Sequence, residues 1–233
     1  FYTQSLKDSF VFVGNLLNGY FVGYFILQAL FIHIPFLIVL VGGDVLAGEA
    51  TAGTYRLIAT RPVSRFQILT SKFISGVIYT NLLLLWLAVL SLVLSLWIFG
   101  SGELLVLRNK IYIFAEDDVI WRFLLAYGYA TLSMTTVFSL AFIFSSLVEN
   151  AIGPIIVTMA IIIIFSIISV LNIDFIQSIR PYLFTNHMTK WKDFFLDPVD
   201  LKGIVQSGLI LLGHILAFYF ITLRIFLKKD ILT

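Results

Sequence analysis

The chain has 233 residues, 60% of them apolar and only 12% charged, and a mean hydropathy of +1.03. A soluble domain carries about 25% charged residues, so a water-soluble globular chain is excluded and an integral membrane chain is expected. The net charge of +2 and the lack of any cysteine give no basis for nucleic-acid binding, disulfides, thiol nucleophiles or cysteine-based metal sites.

Five stretches contain no Asp, Glu, Lys or Arg: Ser9 to Gly43, Phe73 to Gly102, Phe123 to Val148, Asn150 to Ile173 and Gly203 to Leu223. Each exceeds the roughly 20 residues a helix needs to cross a bilayer core. In lipid every backbone N–H and C=O must be satisfied within the segment, which selects helices. Spans are predicted near Tyr20–Val41, Phe73–Phe99, Phe123–Leu147, Ala151–Leu171 and Ile204–Phe226. The fold class is an all-α membrane protein, a polytopic bundle of five helices forming one domain over 1–233.

In the first span, Gly19-x-x-x-Gly23 fits close packing of a neighbouring helix. His33, two residues before Pro35, is expected to bond carbonyls freed by the proline; a substrate or proton contact is the other reading. A polar island at about 44–72 follows, with Asp44, Glu49, Arg56, Arg61, Arg65 and Lys72. It reads as a helix, a turn and a second amphipathic helix. Glu49 is placed in the first turn, where a carboxylate suits the helix dipole. Gly53, four residues on, shares that face and admits a close backbone approach. Pro62 ends the first helical stretch. Ser64 caps the next, whose apolar face is Phe66, Ile68, Leu69 and Phe73. The residues alone also fit an interfacial loop whose arginines snorkel to lipid phosphates.

Asn81, Ser133 and Thr136 in the middle spans suit interhelical hydrogen bonds or a wet central pathway. His214, beside Gly213, suits a helix–helix hydrogen bond better than a ligand role. The loop at about 172–203 alternates polar with aromatic residues, including His187, Lys190, Trp191, Lys192 and Asp193. It is predicted as a re-entrant or interfacial helix anchored by Trp191, with a plain aromatic belt as the other reading. His187 with Asp193 six residues on is not a metal site. No H-E-x-x-H, G-x-S-x-G or intramembrane carboxylate pair occurs, and G-x-x-x-x-G-K-[ST] is absent, so the chain has no motif to cradle ATP.

Basic residues leave orientation open. Seven (Arg56, Arg61, Arg65, Lys72, Arg224, Lys228 and Lys229) share the Glu49 face, and eight (Lys7, Arg108, Lys110, Arg122, Arg180, Lys190, Lys192 and Lys202) the other. The denser set lies on the Glu49 side, and that density together with the family resemblance below assigns this side to the cytoplasm.

Gly48-Glu49, then Gly53-Thr54, Tyr55-Arg56-Leu57, then Arg61-Pro62-Val63-Ser64-Arg65 and Lys72 leading into the next span resemble the permease subunits of the second exporter class of ABC transporters. Ser145-Ser146-Leu147-Val148-Glu149-Asn150 resembles their second cytoplasmic turn, and Ile225-Phe226-Leu227-Lys228-Lys229-Asp230-Ile231 their ending. The resemblance runs from about Tyr20 to the C-terminus. It implies a coupling helix at Glu49, Gly53, Thr54, Tyr55 and Arg56 that sits in a groove of a separate ATPase, with Arg61, Pro62 and Arg65 shaping the return to the membrane. It implies two ATP-binding cassette subunits that bind ATP and Mg, a second copy or homologous permease, surrounding membrane lipid, and a bacterial cytoplasmic membrane. This chain itself would hold no cofactor and catalyse no hydrolysis. Six spans are usual in that family, so the chain resembles a permease without its elbow helix and first span. A proton-driven secondary transporter is the rival; it needs intramembrane Asp or Glu, and here only His33 and His214 could relay protons.

Overall fold

The computed structural model describes residues 17–53, 63–108, 110–171 and 173–228. Among them are five helices long and apolar enough to cross a membrane. Helix α1 is Gly19–Thr51. The second span runs as α2, Arg65–Ala88, a π-turn at Val89–Val93 and α3, Leu94–Phe99. A hairpin of β1 (Leu104–Leu107) and β2 (Ile111–Phe114) follows, antiparallel, with Leu104 opposite Phe114. Then come α4 (Ile120–Leu147), α5 (Ile152–Val170), short helices α6 (Asp174–Ile179) and α7 (Phe184–Met188), a 3-10 segment at Thr189–Phe195, and α8 (Leu201–Lys228). The five predicted spans are all present. The hairpin adds strand to the all-α expectation; its two short apolar runs, Leu-Leu-Val-Leu and Ile-Tyr-Ile-Phe, flank a polar turn, a pattern that by periodicity alone does not distinguish strand from buried helix.

Helix α4 is the axis of the bundle. Its residues are mostly buried, whereas those of α5 and α8 are mostly exposed, as helices facing lipid must be. Small residues set the packing. A side-chain carbon on Gly19 would lie 2.5 Å from the Leu96 backbone, and one on Gly23 2.7 Å from the Ser91 carbonyl, so this pair lets α1 touch α3 and the π-turn directly. Gly42 and Gly43 do the same further along, against Ala141 of α4 and Ile155 of α5.

Two expectations about α1 are corrected. The helix does not stop near Val41 but continues to Thr51, so Glu49 occupies its last turn rather than the first turn of a separate helix. The cause is tertiary: the Gly42–Ala47 stretch is clamped onto α4 and α5, which sustains the helix beyond the hydrocarbon. At 33 residues α1 is about 50 Å long, well over a core of about 30 Å. The segment after it also resumes as one helix, α2, that includes both the amphipathic turn and the span. Ser64 caps it in a capping box with Gln67, as expected.

Candidate functional site

At the Glu49 end, side chains from four spans interlock. Glu49, at the C-terminal end of α1, faces the negative pole of its own helix. Lys72 of α2 offsets this with a half-buried ion pair. The Thr51 hydroxyl lies against two carbonyls, Ala47 at 2.9 Å in its own helix and Glu149 in the α4–α5 turn. The Ser145 hydroxyl, buried on α4, donates to the Gly43 carbonyl at 2.6 Å and accepts from the Leu46 and Ala47 N–H groups at 3.0 Å. Just before the start of α5, the Asn150 side chain accepts from the Ile152 N–H at 2.9 Å. Arg65 reaches the Leu227 carbonyl of α8 at 3.4 Å, and Thr70 meets the Tyr219 hydroxyl at 2.7 Å. An open groove lined by Asp44, Gly48, Glu49, Ala52 and Lys72 lies between the ends of α1 and α2.

Thr54, Tyr55, Arg56, Arg61 and Pro62 lie outside the described residues. Gly53 has φ +67° and, among the described residues other than its chain neighbours, nothing within 4 Å of where a side chain would start. Within the chain it is a left-handed turn after α1, and its outer side is open to approach from beyond the described residues.

The polar residues inside the spans mostly satisfy themselves. His33 Nδ1 donates to Ala29, 2.8 Å away in its own helix; the carbonyl that Pro35 deprives of a partner is that of Phe31. His214 bonds Ile210 of its own helix at 2.8 Å, with its ring between Phe184 and Phe218, so the predicted helix–helix bond is not made. Asn81, exposed, donates to Val77 at 2.7 Å, and Thr136 to Leu132 at 3.1 Å. Ser133 alone of this set reaches across, to Met188 at 3.3 Å as well as Tyr129 at 3.1 Å.

The opposite end is a folded cap. Trp191 is fully buried, against Phe31 at 5.4 Å and Tyr24 at 6.2 Å, and so is not an interfacial anchor. His187 is also buried; Nε2 donates to the Pro181 carbonyl at 2.8 Å, and Nδ1 pairs with the Ser207 hydroxyl at 3.0 Å. Sequence reasoning missed Arg122. It is 5% exposed, stacks 4.2 Å from the Phe114 ring, pairs with Asp118 at 2.7 Å, and donates to the Phe194 and Leu196 carbonyls at 2.7 and 2.9 Å. One guanidinium thus pins the hairpin, the start of α4 and the 3-10 segment together. A charged residue at the edge of a charge-free run was the signal available.

Four apolar helices around a buried fifth, with polar closures at both ends, define an integral multi-pass membrane protein of mainly helical build. Residues 4–232 match the family described as Protein of unknown function (DUF2705), and the chain belongs to that family. It is also similar to Uncharacterized protein YhcI of Bacillus subtilis (strain 168), 32% identical over 117 residues. That stretch covers 48% of this chain and 37% of the relative, so the chain spans well under two thirds of the relative's length.

Proposed function

We propose that the chain is the transmembrane permease subunit of an ATP-driven ABC exporter, with the Glu49 end in the cytoplasm. Two copies, or this chain and a homologous permease, form the substrate pathway at their interface. Two separate cassette subunits bind ATP and Mg and dock on the segment between α1 and α2. The observation that carries this reading is the interlock at the Glu49 end. Force applied to that segment would reach α1 through Thr51, α2 through Lys72 and Arg65, the α4–α5 turn through Glu149, and α8 through Leu227. A surface so tied moves several spans as one body when a partner pulls on it. The proton-driven rival is disfavoured because the five charge-free runs carry no Asp or Glu, which leaves only His33 and His214 to carry protons.

Affinity purification of the tagged full chain from its native membrane should recover a subunit bearing a Walker A motif. Glu49→Ala should leave the helix bundle folded, because the ion pair lies at the ends of α1 and α2, away from the buried packing of α4 that holds the spans together. It should nonetheless abolish most of the permease-stimulated ATP hydrolysis. Wild-type hydrolysis in that variant, or the absence of any ATP-binding partner, would overturn the reading.

A further inference from the structure

On the far side of the molecule from Glu49, an apolar groove of about 330 Å³ runs between α1 and α5, lined by Phe31, Pro35, Met159, Ile163, Ile167 and Thr189 among others. Both walls are membrane spans, and Ile163 and Ile167 are exposed, so the groove opens sideways into the bilayer. From Met159 to Ile167 it covers about 12 Å of helix, close to the roughly 15 Å depth of one leaflet. Its outer rim is Thr189, the first residue of the 3-10 segment.

Directly after that rim the charge changes. Lys190 and Lys192 flank Trp191, which packs on groove-lining Phe31. Arg108 of the hairpin and Lys190 share one carboxylate, Asp193, at 2.9 and 2.8 Å. Lys192 lies over the Trp191 ring and makes no ion pair among the described residues. Burial first, and Arg108 second, hold the Lys192 ammonium below the usual lysine range. Arg108, Lys190 and Lys192 beside the one carboxylate of Asp193 leave a positive excess where the cap meets the groove.

We propose that this groove is a resident-lipid site: one acyl chain of an anionic phospholipid lies between α1 and α5, with its phosphate held by Lys190 and Lys192. An acyl chain fits because the walls are apolar along their length, and an anionic headgroup fits because the rim carries uncompensated positive charge. The inference rests on the membrane fold and is independent of the exporter reading.

The full chain is reconstituted into nanodiscs holding equal amounts of phosphatidylglycerol and phosphatidylcholine, extracted into mild detergent, and weighed by native mass spectrometry. One phosphatidylglycerol should survive washing on each chain. Ile163→Trp, which fills the groove from its exposed wall, should cut retention of either lipid about tenfold. Lys190→Gln with Lys192→Gln should erase the preference between the two lipids while some retention persists. Circular dichroism on each variant separates a filled groove from a lost fold, and excess inorganic phosphate should not release the lipid. Equal retention of both lipids by the wild type, unchanged retention in Ile163→Trp, or full release by inorganic phosphate would overturn the proposal, the last showing a phosphate site with no role for the groove.

Discussion

Gly76 lies where α2 crosses α4, directly beneath the Phe138 ring, which is fully buried. A side-chain carbon at position 76 would overlap that ring. Phe138 also stacks on Phe142 and meets Phe73, at 5.6 and 5.7 Å, so it cannot swing aside. Overpacking a closed core costs about 1–3 kcal/mol. Gly76→Val should therefore lower the thermal midpoint of the detergent-solubilised protein by several degrees. Gly213→Ala, on α8 with open space around it, should leave the midpoint unchanged or raise it slightly, since alanine favours helix over glycine. Equal midpoints for the two variants would mean that α2 and α4 are not in this contact. Neither glycine differs from the other in sequence pattern; only the neighbour across the helix crossing separates them.

At the scale of elements, the cap opposite Glu49 hangs on one buried guanidinium. Arg122 donates to Asp118 and to the Phe194 and Leu196 carbonyls while its flat face lies on Phe114. A hydrogen bond to a charged group contributes about 1.5–3 kcal/mol. Arg122→Gln should thus loosen β1–β2 and residues 189–196 together. Hydrogen–deuterium exchange should rise in both segments by an order of magnitude or more and stay unchanged around Glu49 and Ser145. Arg122→Lys should not restore protection, because an ammonium cannot supply the planar fork that reaches two carbonyls and a carboxylate at once. A change confined to one of the two segments would show that Arg122 does not join them.

At the scale of the whole molecule, the five spans and their contacts separate two ends. Arg65 with Leu227 and Thr51 with Glu149 close one; Arg108 with Asp193 and Arg122 with Phe194 close the other. Single cysteines placed at Ser64 and Ser101, both exposed in a chain without native cysteine, should react with an impermeant maleimide from opposite sides of the membrane. In intact cells Ser101→Cys should label and Ser64→Cys should label only after permeabilisation, if the Glu49 end is cytoplasmic. The reverse pattern would invert the orientation and remove the docking surface from the ATP side; labelling of both from outside would break the span assignment itself.

The sequence by itself determined the membrane class and the five spans. Long runs without charge leave the backbone no alternative to helix in lipid, so that inference needs no partner residue. It also marked the Ser64 cap and the Gly19–Gly23 contact, both of which depend on spacing within one short segment. The tertiary structure decided what depends on contacts distant in sequence. Glu49 ends α1 instead of opening a new helix because Ser145, about a hundred residues away, holds the Gly43–Ala47 backbone. Trp191 is core and not belt because Tyr24 and Phe31 enclose it. His33 and His214 each bond a carbonyl one turn back in their own helix. Arg122 is a buried pin only because a hairpin and a 3-10 segment converge on it. Local pattern reports which face of a helix is apolar; which residues occupy that face's far side is set by how the helices cross.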